Sequence, residues 1–570
     1  MGTRKNVAVW SLLLACVTVP AFSQVTSDRL LKAAREPQNW LTYSGNYAGW
    51  RYSTLEQIKV SNIAKLQAQW VFQSGVQGLF ETTPLVVDGV LYGTGPEDVA
   101  FAVDARTGKA IWRYRRSFPE KMTVCCGHVN RGFAILGARV FMATLDAHVI
   151  ALDTKTGNLV WDAPAADSSK GYSFTLAPLL VKDKVVVGVS GGEYGIRGFI
   201  DAYDANTGKR IWRHYTVPIP GEPGSETWGG NSWKTGGAPA WITGSYDSDL
   251  NLLYWPTGNP SPDLYGRERP GDNLFSECML ALDADTGKLK WYFQFTPHDV
   301  YDYDSTEVPI LLDTDWNGQP RKLLVQANRN GFFYVLDRTN GQFLRATPYA
   351  KVTWAKGIDA AGRPIPQFQD LPLSTSTYIC PSFLGATNWF SPSYNPQTGW
   401  VYVSAFEHCQ NLTSWPQPFE EGHRFIGSTG DKLRTEKDWG AVRALDPHTG
   451  EMKWEFKFYS GPWAGTLSTA GGLVLTGDID GNLIALDART GEHLWHFQTG
   501  AAINSVPMTY SVDGKQYIII PAGGALFAFG LPEGETRAVP VAQGRVASRS
   551  PAARVGLQRP EHAPNLSQNP

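Results

Sequence analysis

A chain of 570 residues exceeds what one hydrophobic core ordinarily fills, and by length alone would divide into several domains. A formal charge of -2, with only 18% charged residues, excludes a nucleic-acid or other polyanion binder that works through net positive charge. The 58 glycines, 21 tryptophans and 42% hydrophobic residues point instead to many short strands, tight turns and large packed aromatics.

In chain order, residues 1–23 read as an export signal. Arg4 and Lys5 precede an apolar run over residues 7–19, and Ala21-Phe-Ser23 offers small residues for cleavage before Gln24. The run is too short for a membrane span. Leu13-Leu-Ala-Cys16 also spells a lipoprotein box, an alternative that would leave Cys16 acylated. Either route leads to the periplasm, where disulfides persist.

From residue 24 to residue 531 one pattern recurs: a small or apolar residue, any residue, Asp, two residues, Thr-Gly, three residues, Trp. It appears as Ala102-Val-Asp-Ala-Arg-Thr-Gly-Lys-Ala-Ile-Trp112 and again at 151–161, 202–212, 281–291, 444–454 and 485–495. A copy at 335–345 has lost its Trp, and Trp70 ends a unit whose first half is missing. Asp-x-x-Thr-Gly suits a hairpin turn in which Gly takes positive φ, with Trp on the returning strand wedged between neighbouring sheets. Units lie roughly 40 to 50 residues apart where not enlarged, the length of a four-stranded propeller blade. The long gap between Arg345 and Trp454 has room for a decayed unit, with Tyr394-Asn-Pro-Gln-Thr-Gly-Trp-Val-Tyr-Val403 as its remnant. The expectation is an all-β, eight-bladed β-propeller with Trp-docking repeats. Loops on one face of such a ring converge on its channel, and the inserts at 216–240 and 348–388 are expected to cover that face. Residues 532–570, rich in Pro, Gly, Arg and Ala without hydrophobic period, read as a disordered tail.

Two stretches carry chemistry on their own. Adjacent Cys125 and Cys126 form either a strained eight-membered disulfide ring held by its surroundings or a pair of free thiols. Cys380 and Cys409 could close a loop, leaving Cys278 as a buried thiol, and no Cys-x-x-Cys-His marks a covalent haem. Thr296-Pro-His-Asp-Val-Tyr-Asp-Tyr-Asp304 is too acidic to expect in a core. If extended, it turns Asp302 and Asp304 to one side, toward one hard cation.

With these motifs in this order, the chain resembles the quinoprotein alcohol dehydrogenases, the methanol and ethanol dehydrogenase family that uses pyrroloquinoline quinone (PQQ) on an eight-bladed propeller. The likeness runs from about residue 40 to residue 531. It implies that Cys125 and Cys126 form a vicinal disulfide flat against the quinone, with Trp241 of Gly236-Gly-Ala-Pro-Ala-Trp241 on its other face. Glu81 and Arg131 would hold the cofactor's oxygens and carboxylates, while Thr175, Ser190, Gly191 and Gly192 add hydroxyl and backbone donors. Arg329 of Asn328-Arg-Asn-Gly331 would stand beside the reactive carbonyl, and Asn388 and Trp463 complete the set.

The resemblance also implies a metal held by Glu193, Asn259 and Asp302, an all-oxygen donor set for a hard cation. Asp304, two positions after the catalytic Asp302, marks the lanthanide-dependent branch, since calcium enzymes have a small residue there. Three carboxylates suit a trivalent ion, with Ca²⁺ as the alternative. Asp302 would act as general base and Arg329 as the cation at the quinone oxygen, oxidising small primary alcohols to aldehydes. Electrons would pass to a separate soluble cytochrome c, and a homodimer is compatible with the family. Two departures stand out: Ala522-Gly-Gly-Ala-Leu526 lacks the late Trp of the methanol enzymes, and Pro239 replaces a Thr two residues before Trp241. A non-catalytic periplasmic scaffold for outer-membrane protein assembly shares the repeat, but needs neither the cysteine pair nor converging carboxylates.

Overall fold

The computed structural model describes residues 24–373, 375–428 and 438–534. The export-signal and lipoprotein readings of residues 1–23, Cys16 included, lie outside the described residues, as does the expected tail from residue 535 onward.

Among the described residues the chain forms an eight-bladed β-propeller, each blade built on four antiparallel strands, with two further short strand pairs. One blade comprises Leu85–Val87, Val90–Thr94, Val99–Asp104 and Ala110–Arg115. Its third strand is buried along nearly its whole length, because neighbouring sheets cover both faces. Val99-Ala-Phe-Ala-Val103 is accordingly a continuous apolar run rather than an alternating one. The fourth strand, at the rim, buries Trp112 between exposed Ile111 and Arg113.

The turn between these strands is closed by Asp104. Its Oδ1 accepts from the Arg106 and Thr107 amides, both at 3.0 Å, and from the Thr107 hydroxyl at 3.1 Å, while Gly108 takes φ +70°. This turn also receives the tryptophan of the preceding unit. A Cβ at Gly108 would stand 2.6 Å from the Trp70 ring, and one at Gly157 would stand 2.6 Å from Trp112. Trp112 Nε1 donates to Thr154 O at 2.8 Å. The same seat holds Trp161 on Gly208, Trp212 on Gly287, Trp291 on Gly341 and Trp454 on Gly491. The repeat thus encodes both halves of an inter-blade joint. Where the copy at 335–345 lacks its Trp, Arg345 donates to Thr449 O at 2.8 Å and Thr347 packs on Gly450.

The structure corrects where the eighth blade lies. The gap between Arg345 and Trp454 holds a single blade, Ser393–Asn395, Trp400–Glu407, Trp439–Leu445 and Met452–Lys457. The stretch from Tyr394 to Val403 is its inner hairpin, not the remnant of another unit. The eighth blade is made by the two ends of the propeller together. Met508–Val512, Lys515–Ala522 and Ala525–Gly530 supply three strands, and Gln67–Gln73 adds the outer one. Trp70's missing first half is therefore at the far end of the chain, and their pairing closes the ring.

Cys125–Cys126 and Cys380–Cys409 are both disulfides, and Cys278 is free and buried. Tyr43, Ala177, Ile242, Val308, Trp389, Phe390, Phe406 and Val506, from widely separated stretches, meet in one apolar cluster, against which Trp241 and Trp463 pack. The two inserts behave differently. Residues 383, 384 and 388 of the second reach the cavity described below, whereas no residue of 216–240 lines it and Trp228 instead donates to Leu274 O.

Candidate cofactor and metal site

A cavity of about 830 Å³, its open mouth included, gathers most of the residues singled out in the sequence. Glu81, Cys125, Cys126, Arg131, Thr175, Ser190, Gly191, Trp241, Asn388 and Trp463 line it, together with Glu193, Asp302, Asp304 and Arg329. Gly192 and Asn259 are not among the lining residues. They stand behind it, where a Cβ at Gly192 would come within 2.4 Å of Asn259 Oδ1.

The polar wall is built from buried pairs. Arg131 Nη2 lies 2.7 Å from Glu81 Oε2, and its guanidinium sits over the rings of Trp241 and Trp389, 5.1 and 4.7 Å from their centres. Burial pushes the Glu81 carboxyl up to about 7, against the pull of Arg131. The Thr175 and Ser190 hydroxyls are 3.0 Å apart. Gly191, at φ +117°, brings its backbone so near Gly171 that a Cβ would meet Gly171 O at 2.0 Å.

The acidic run corrects the extended reading. Residues 299–304 form no strand, and Asp302 takes φ +63°. Asp299 folds the segment by accepting the amides of Tyr301, Asp302 and Tyr303 at 3.2, 2.9 and 3.2 Å. These bonds replace strand partners, so an acidic segment can be buried: Asp299 is 0% and Asp304 4% exposed. Asp302 and Asp304 still face one cavity, through a turn rather than strand alternation. His298 points elsewhere, with Nδ1 2.8 Å from Gly271 O.

Asp304 too is held by three hydrogen bonds. It accepts from Arg329 Nη1 and the Asn259 amide at 2.7 Å each, and from Trp241 Nε1 at 3.1 Å. Arg329 Nη2 lies 3.4 Å from Asp302 Oδ2. Burial, with Asp304 adding to it, pushes the Asp302 carboxyl well above its usual range in spite of Arg329. Burial likewise raises Glu193 to about 7, its own amide opposing and Asp304 contributing. Asp263, which the sequence reading missed, accepts from Asn259 Nδ2 at 2.7 Å, and burial with repulsion from Glu193 and Asp304 raises it well above the carboxylate range.

Buried carboxylates that repel one another in an all-oxygen setting fit a hard cation. Among the described residues, the one His, Cys, Asp or Glu group whose ligand atoms close to within 4.8 Å is Cys125, Cys126 and Glu193. Those sulfurs are bound to each other and offer no thiolate, so the donor chemistry rests on Glu193, Asp302, Asp304 and the Asn259 side-chain oxygen. For a flat polyanionic ring, the disulfide, Trp241, Arg131, Arg329 and the hydroxyl pair are suitable walls and donors. Leu79, Val129, Phe383, Leu384 and Trp389 also line the cavity. Several of these adjoin residues already singled out, as Trp389 adjoins Asn388, which was the available signal. Arg424, which opposes the rise of Glu193 and stands 3.8 Å from Cys125 Sγ, had none.

A family model described as "Glucose/ethanol/alcohol dehydrogenase, beta-propeller domain" matches residues 40–356. The quinoprotein alcohol dehydrogenase PedH of Pseudomonas putida is 39% identical over 549 residues, covering 91% of this chain and 92% of its own. The chain belongs to the PQQ-dependent alcohol dehydrogenase family. Family membership brings PQQ, a metal ion and alcohol oxidation. Solved structures agree in fold. The quinohemoprotein alcohol dehydrogenase of Comamonas testosteroni gives a TM-score of 0.84 at 36% identity, over 89% of this chain and 82% of that one. A europium-containing methanol dehydrogenase gives 0.84 at 34%, over 88% of this chain and 100% of that one. A second family model, described as "Outer membrane protein assembly factor BamB", matches residues 393–556. That likeness covers the shared blade repeat and leaves out most of the cavity, so the scaffold reading is not favoured over a dehydrogenase of this family.

Proposed function

We propose that the protein oxidises primary alcohols to aldehydes in the periplasm, with PQQ in the cavity and a lanthanide ion at Glu193, Asn259, Asp302 and Asp304. The observation that carries this reading is the convergence of a vicinal disulfide, Trp241, two guanidinium groups and four carboxylates on one cavity. When bound, PQQ supplies the hydride acceptor and the metal supplies Lewis acidity.

The chain's own residues do the rest. Cys125–Cys126 and Trp241 hold the ring; Glu81, Arg131, Thr175, Ser190, Gly191, Gly192, Asn388 and Trp463 fix its polar edge and orientation. Asp302 takes the hydroxyl proton of the alcohol. Arg329, held on Asp304, presents positive charge where oxygen charge develops. Leu79, Phe383 and Leu384 exclude water at the mouth.

A trivalent ion is supported by the charge balance. The proposed donor carboxylates, Glu193, Asp302 and Asp304, carry three negative charges when ionised, one of which a divalent ion would leave unmatched. Calcium is the alternative. Electrons leave to a separate soluble cytochrome c. The test is alcohol oxidation with an artificial electron acceptor, after reconstitution with PQQ plus either La³⁺ or Ca²⁺. Turnover with La³⁺ is expected, and it is lost in Asp302→Ser. Full activity with Ca²⁺ alone would overturn the metal assignment, and an undiminished Asp302→Ser rate would overturn the base.

A further inference from the structure

We propose that His408 is a positioning residue for this site: bonded to Ser382 and backed by Asp438, it holds the loop at residues 380–388 whose carbonyls aim Arg329 and the segment around Asp302. The proposal rests on the roles given above to Arg329 and Asp302. Ser382 Oγ and His408 Nδ1 form a short hydrogen bond, and His408 Nε2 lies 3.1 Å from Asp438 Oδ2. The order Ser, His, Asp suggests a nucleophile. Ser382 is 0% exposed and lines no described cavity, so no substrate reaches it. The donor pattern indicates a tether instead. The Asp438 carboxylate beside Nε2 favours the imidazole proton on that nitrogen by charge rather than through a hydrogen bond, and Nδ1 then accepts from the Ser382 hydroxyl. That hydroxyl in turn accepts the Leu384 amide at 3.2 Å.

The tether matters because of what flanks Ser382. The preceding carbonyl, Pro381 O, accepts from Tyr303, the residue between Asp302 and Asp304, at 2.5 Å. The following one, Phe383 O, accepts from Arg329 Nη2 at 2.5 Å. Further on, the Ala386 amide donates to Arg329 O at 2.8 Å, and Gly385, at φ +81°, lies so close that a Cβ would meet Arg329 Cγ at 2.5 Å. On its other side the loop is tied to the neighbouring strand by the Ser382 amide on His408 O at 2.8 Å, the Phe406 amide on Ala386 O at 2.7 Å and the Cys380–Cys409 disulfide. The residue His408 grips therefore lies between the two that carry the aiming carbonyls, Pro381 and Phe383. Freed of that grip, the peptide units at Ser382 rotate, and Arg329 and Tyr303 lose their acceptors together. Misaiming a group that acts in the transition state lowers kcat more than it alters KM.

The experiment compares wild type, His408→Ala and His408→Asn, the last because its side-chain oxygen can take the place of Nδ1 as acceptor. In enzyme reconstituted with PQQ and La³⁺, His408→Ala is expected to lower kcat about tenfold or more with KM for the alcohol changed less than about twofold, and His408→Asn to recover most of the loss. In protein without added cofactor, hydrogen exchange at the Leu384 and Ala386 amides should quicken in His408→Ala while the strand Val99–Asp104 is unchanged. If exchange and kcat both match wild type, the disulfide and backbone bonds hold the loop unaided and the proposal is overturned. It is equally overturned if exchange quickens throughout the propeller and His408→Asn is no better than Ala. An inactive wild type would sink the alcohol-oxidation reading instead, with the exchange arm still deciding whether His408 holds the loop.

Discussion

Arg329 stands among carboxylates that burial alone would drive toward their neutral forms, and its guanidinium keeps Asp304 in register while leaving Asp302 at 3.4 Å. Away from the cavity carboxylates the same physics has a measurable consequence at Asp98. This carboxyl accepts from the Leu145 amide at 2.6 Å and from Asn130 Nδ2 at 2.7 Å, beside the Asn130-Arg131 stretch that leads into the cavity. Burial pushes it from an ordinary 3.8 to about 7, with the Leu145 and Asn130 hydrogen bonds opposing. A folded value above the unfolded one means that the native state binds more protons between those two values. Asp98 therefore subtracts stability progressively as pH rises through that window. Thermal unfolding of wild type and Asp98→Asn between about pH 4 and about pH 8 should give a shallower decline for the variant. Parallel curves would contradict the assignment.

The hairpin unit carries its own test, because each Thr-Gly turn serves two blades. At Gly157, φ is +71° and a Cβ would meet the Trp112 ring at 2.6 Å; at Gly514, φ is +76° and nothing lies within 4 Å. Ala at Gly514 meets only the left-handed backbone penalty, about 1–2 kcal/mol. Ala at Gly157 meets that penalty and also displaces an inter-blade ring, adding roughly 1–3 kcal/mol. Urea unfolding should rank Gly157→Ala well below Gly514→Ala. Equal losses would mean that the Trp seat does not lock the blades.

For the whole molecule the decisive joint is the eighth blade, where Gln67–Gln73 pairs antiparallel with Ala525–Gly530. Closing it requires residues as far apart as Gln69 and Gly530, whose side-chain bond at 3.1 Å spans 461 positions. Trp70, half of the joint with Gly108, ties this blade to the next. Trp70→Ala should lower stability by about 3–5 kcal/mol and open Gln67–Gln73 to proteolysis before any other strand. Cleavage elsewhere first would relocate the weakest joint.

The number of blades and the Trp-to-turn joints were legible in the linear chain, since a turn of Asp, Thr and Gly is specified by neighbours within seven residues, whereas most of the cavity wall was named only through the family resemblance. For Cys125 and Cys126 the chain alone left a disulfide or two free thiols open, and the resemblance implied the disulfide that the structure holds. What the chain did not disclose lies between distant segments: the two ends meeting in one blade, and Asp299 folding an acidic run inward at Asp302. Asp263, Trp389 and Arg424 join the site through tertiary packing, and so does the grip of His408 on Ser382. Local hydrogen bonds leave a periodic trace in sequence. Contacts across the channel depend on how eight sheets close, and no short window of residues records that closure.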